Sequence, residues 1–157
     1  MKPLVLVACL AALCLSGCNY DFALTEQPTQ KIDGRLIGNW VAVDKDNGKQ
    51  ESMQVRRLDD STYIVAFDDD IYRAFHSDFA GQPFLSVQNL QPGGDDRKYL
   101  VMTWALSADA SQLTLRTVSN KVVPEGTKGR AALQQLIKAN LANPALYGDP
   151  ITFTQKK

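Results

Sequence analysis

From residue 34 onward, apolar and polar positions alternate in short runs that turn residues interrupt at intervals of about ten, the pattern of half-buried antiparallel strands. The runs predict strands over residues 39–44, 51–58, 62–68, 71–79, 84–90, 98–106 and 112–119, with a last strand around Ile151 and Phe153. Asp46, Asn47 and Gly48 make a hairpin signal, because Asn-Gly tolerates the positive φ of a tight turn. Gln91, Pro92, Gly93, Gly94, Asp95 and Asp96 spell a loop. In the sixth strand Leu100, Met102, Trp104 and Leu106 share one face, and in the seventh Leu113 and Leu115 do so; both sets are expected to point inward. Over residues 129–142 the period lengthens to that of a helix. It places Ala132, Leu133, Leu136, Ile137 and Leu141 on one face, expected to pack on the barrel rather than form a partner groove, and Asn143-Pro144 stops it. The expected fold is mainly β: one antiparallel up-and-down barrel of about eight strands, with one helix inserted before the last.

The first 33 residues follow other rules. Met1 and Lys2 precede an apolar run over residues 3–15, too short to span a bilayer as a permanent helix. It ends in Leu15, Ser16, Gly17 and Cys18, which resembles the bacterial lipobox: a branched apolar residue, two small residues, then cysteine. The resemblance implies a lipoprotein signal peptide over residues 1–17 and lipidation of Cys18, with diacylglycerol on its sulfur and a further acyl chain, such as palmitate, on its amino group. Several chains anchor firmly where one holds marginally. Cys9 and Cys14 would leave with the leader, so the mature chain forms no disulfide of its own. Asn19, rather than aspartate, follows Cys18; in a Gram-negative cell that points to the outer membrane, facing the periplasm. Residues 18–33 are polar, aperiodic and broken by Pro28, and are expected to form a flexible tether to a barrel domain over residues 34–157.

Leu36, Ile37, Gly38, Asn39 and Trp40, at the start of the first strand, resemble the Gly-x-Trp opening of lipocalins. In that family the tryptophan closes one end of the barrel, often against a basic side chain from a late strand; Trp40 matches it, and Arg116 is the candidate partner. The resemblance implies a ligand-binding module. The chain departs from it in the helix, which lipocalins place after the eighth strand.

Charge changes the picture by exclusion. Lysine plus arginine and aspartate plus glutamate number 17 each, with no basic stripe interleaved with aromatics, so nucleic acid is not expected as a partner. His76 is the single histidine; its neighbours Ser77 and Asp78 cannot form a relay with it, since adjacent strand residues face opposite ways, and it is read as a solvent-facing strand residue. One histidine and an acylated cysteine rule out the usual zinc sets. The sequence around Asp44 to Gly48 echoes a calcium loop but departs from its spacing, so it is read as a hairpin. Asp68, Asp69 and Asp70 are read as a solvated turn, and Gly126 to Arg130 as a linker into the helix. No catalysis, metal or cofactor is expected beyond the lipid on Cys18.

Arg73 invites a ligand. If Ile71, Phe75 and Phe79 face inward, Arg73 shares their face, and an arginine inside a barrel needs a partner unless it reaches the rim or a bulge reverses the parity. Arg73, Trp40 and Trp104 are therefore the candidate ligand-binding residues. Two functions are expected to compete: an envelope-anchored module binding a small apolar or amphipathic ligand such as a fatty acid, or a non-catalytic interaction protein whose filled barrel docks on an envelope assembly. A lumen of a few hundred cubic ångströms favours the first and a packed one the second.

Overall fold

The computed structural model describes residues 19–44, 46–91 and 97–156; the leader, Cys18 and loop residues 92–96 lie outside the described residues. Eight strands, β1 (Gly38–Val43), β2 (Gln50–Arg57), β3 (Thr62–Phe67), β4 (Asp70–His76), β5 (Phe84–Asn89), β6 (Tyr99–Leu106), β7 (Gln112–Thr117) and β8 (Ile151–Lys156), close into one barrel in chain order. Every neighbouring pair is antiparallel, including β1 with β8, where Trp40 stands opposite Gln155. Closure leaves no unpaired strand edge. One helix, α1 (Arg130–Asn140), precedes β8, so the architecture is the one the sequence predicts.

The turns have local causes. Between β1 and β2 the Asp44 carboxylate accepts from the Asp46 amide and the Asn47 side chain, while Gly48 takes a φ of +68°. Gly38 sits at a φ of +152°, and a Cβ there would meet Nε2 of Gln155 at 2.9 Å. The glycine of the Gly-x-Trp motif thus lets β1 enter the barrel beside β8.

Two cores share the wall. The lumen holds Trp40, Met53, Tyr72, Leu100, Leu113 and Phe153 among others, with Leu36 packed at the Trp40 end. The second core lies outside, where Leu133 and Ile137 of α1 meet Phe84 of β5, Val101 of β6 and the N-terminal residues Tyr20 and Leu24, all fully buried or nearly so. Each such aliphatic side chain is worth about 2 kcal/mol of burial. The helical face therefore packs against the barrel.

Two expectations from the sequence do not hold. Residues 19–33 are not a free tether. Tyr20 exchanges backbone hydrogen bonds with Tyr99, the Leu24 amide donates to Ser86 Oγ, the Thr29 amide to the His76 carbonyl, and the Ile32 amide to the Asp60 carbonyl. The segment runs along the outer wall from the start of β6 to the Trp40 end, held because Tyr20 and Leu24 have an apolar wall to cover. The second correction is the parity of β4. Tyr72 and Ala74 face the lumen, Ile71 is 41 % exposed, and Arg73 and Phe75 face outward. No bulge is needed: β4 is covered on both faces at its end, so Ala74, Phe75, His76 and Ser77 are all buried and the run carries no alternation to read. The strand also ends at His76, and Phe79 instead bridges Gln82 in the following turn.

Candidate functional site

The lumen of a small barrel is where a ligand would sit. Its free space is a cavity of about 70 Å³ lined only by side chains such as Met53, Val65, Phe67, Tyr72, Val87 and Ile151. That equals roughly two water molecules at about 30 Å³ each, against the several hundred that ligand pockets offer. None of Trp40, Trp104 or Arg73 lines it.

The Trp40 end is sealed by polar contacts that the sequence does not advertise. Trp40 is fully buried and its indole donates to the Leu36 carbonyl at 2.9 Å. His76, read from sequence as solvent-facing, is 1 % exposed: β4 turns it inward against Tyr63 and Trp104, with ring centroids 5.6 and 5.2 Å away. The Tyr63 hydroxyl accepts from the Asp33 amide at 2.5 Å and shares a 2.8 Å hydrogen bond with His76 Nε2. Nδ1 of His76 and Nε1 of Trp104 are buried without partners. Burial lowers the pKa of His76, against the pull of Asp78 and Asp33, and burial pushes Tyr63 up to about 12. Arg116 does not pack on Trp40. It lies on the outer face, donating to the Gly148 carbonyl at 2.9 Å and standing 5.6 Å over the Tyr147 ring. The seventh strand puts Leu113 and Leu115 inward, so Arg116 falls on the opposite face.

Ser77 points away from His76, joined to Ser86 Oγ at 2.8 Å and to Thr25 Oγ1 at 2.7 Å, a buried hydroxyl chain that fastens the N-terminal segment to the wall. At the other end Glu51 is 6 % exposed, and its carboxyl pKa is raised by burial and by the nearby Asp68 and Asp44 charges. Among the described residues, no three histidine, cysteine, aspartate or glutamate side chains gather as a metal site would need.

No protein-family model, curated protein or solved structure matches this chain. On the outer wall, a polar cleft of about 510 Å³ lies between the N-terminal segment, the β2–β3 turn, β4 and the start of α1. Arg73 lines it, donating through Nη2 to Gln88 Oε1 at 2.9 Å and Tyr99 Oη at 3.3 Å, with Nε buried and unpartnered. Arg130 enters from α1, its Nε donating to the Ala23 carbonyl at 3.1 Å. Asp21, Glu26 and Asp59 line the same cleft. Of the candidate site residues, Arg73 alone reaches it; Trp40 and Trp104 stay at the sealed end, and Cys18 lies outside the described residues. Arg130 ends the run from Gly126 that by sequence reads as a linker into the helix. The period-two spacing of Tyr20, Phe22 and Leu24 was the available hint that this segment forms the cleft's outer wall.

Proposed function

We propose that this chain is a non-catalytic envelope lipoprotein, held at a membrane surface by lipid on Cys18, whose barrel is a filled scaffold that recognises its partner on the outer wall. The observation that carries the reading is the lumen: about 70 Å³ cannot take an acyl chain. The leader and its lipobox support the anchor, and Asn19 after the cysteine supports the periplasmic face of an outer membrane in a Gram-negative cell. The Gly38 and Trp40 pair at the sealed end supports a lipocalin-like module in which packed side chains occupy the space a ligand takes in that family.

Two measurements test it. Cys18→Ser should move the protein from the membrane to the soluble fraction, and labelled palmitate entering that variant overturns the anchor. The soluble variant is then titrated with a fluorescent fatty acid: no saturable binding is expected, and one equivalent bound at low-micromolar Kd overturns the filled-barrel reading.

A further inference from the structure

We infer that the outer cleft between Arg73 and Arg130 is a binding site for a small zwitterion, an amino acid or short peptide, whose carboxylate meets the arginines and whose ammonium meets the acidic rim. The inference rests on the outer wall being the recognition face. Arg73 is half-buried, yet its two hydrogen-bond partners, Gln88 and Tyr99, are neutral, and its Nε is buried with nothing to donate to. Arg130 likewise touches only a carbonyl, that of Ala23. Neither takes part in the ion pairs of the described residues, Arg35 with Asp33 and Arg57 with Asp60. A cation taken partly out of water calls for a counter-charge, and a guanidinium fork matches a carboxylate in both geometry and charge.

Acidic side chains are close at hand but do not supply that charge. Asp21, Glu26 and Asp59 line the same cleft and pair with neither arginine. With three carboxylates to two guanidiniums in the lining, a bare dianion such as phosphate meets net repulsion. A molecule carrying both charges satisfies both sets. The cleft, at about 510 Å³, lies within the range of small-molecule sites of about 300–1,000 Å³. Phe22 and Phe75 supply the small apolar part of its mainly polar lining.

The test is calorimetric titration of the full-length acylated protein in non-ionic detergent with glycylglycine, with its C-terminal amide, which lacks the carboxylate, and with its N-acetyl form, which lacks the ammonium. Saturable binding of one glycylglycine is expected, weakened about tenfold or more by either cap, the loss that follows from one charge-assisted bond. Arg73→Gln and Arg130→Gln should each weaken binding by a similar factor with unchanged circular dichroism. Absence of saturable heat with glycylglycine, equal binding of either capped form, or full affinity in a folded Arg73→Gln protein would overturn the assignment. The capped ligands keep the test open even where a variant fails to fold. A silent titration removes the cleft and leaves the filled barrel standing, whereas a luminal fatty-acid site does the reverse.

Discussion

His76 sits in the barrel with Nε2 bonded to Tyr63 and Nδ1 buried without a partner, an arrangement that favours the neutral ring. Burial holds its pKa below the ordinary 6.5. In the unfolded chain the ring takes up a proton near that value; in the native state it does so only at lower pH. Below about pH 6.5 the unfolded state therefore binds more protons, and stability falls as pH drops until the native pKa is passed. His76→Gln, which keeps a polar group beside Tyr63, should flatten that decline. Urea midpoints at about pH 7.5 and about pH 5 check it: wild type should lose more than the variant, and equal losses would show that His76 does not carry the acid sensitivity. The sequence showed a lone histidine beside Phe75, but its surroundings come from Tyr63 of β3 and Trp104 of β6, so its burial was not legible locally.

At the scale of elements, the N-terminal segment behaves as a structural part of the barrel. Tyr20 is fully buried, and its hydroxyl donates to the Val123 carbonyl at 3.0 Å, tying the segment to the loop before α1. Tyr20→Ala should cost about 3–5 kcal/mol, as truncation of a buried aromatic does. Tyr20→Phe, which only leaves the carbonyl short of a donor, should cost about 1 kcal/mol. Chemical denaturation measures both, and a Tyr20→Ala protein as stable as wild type would mean that the segment adds nothing. The strands were legible because turn residues punctuate them: Asn47-Gly48, Asp59 to Ser61 and Gly81 to Pro83 all separate strands in the structure. The facing of β4 was not, because a segment read as a flexible tether covers its outer side and Phe75 and Ser77 are buried beneath it. One misread element thus inverted another, and the side of the wall on which Arg73 stands went with it.

Across the whole molecule, the small lumen bears on stability and on the proposed filled-barrel reading. Ala74 lines the cavity. Ala74→Val places two methyl groups in existing space and should raise stability by about 1 kcal/mol, or the melting temperature by about 2–4 °C. Thermal melts would show it, and a lowered melting temperature would mean the space is less than it measures. The cleft was only half legible, since Arg73 could be singled out as an arginine needing company, whereas its companions Asp21, Glu26 and Arg130 are brought to it by closure of the barrel and by the path of the chain before β1.

The bridge between Tyr20 and Tyr99 has a last consequence. Two peptide steps separate Cys18 from a side chain locked in the wall, and two residues of extended chain span no more than about 7 Å. On the proposed acylation of Cys18, the domain would have no leash: it would ride on the headgroups with the rim where β6 begins turned toward them. On that reading its ligand would be met at the bilayer surface.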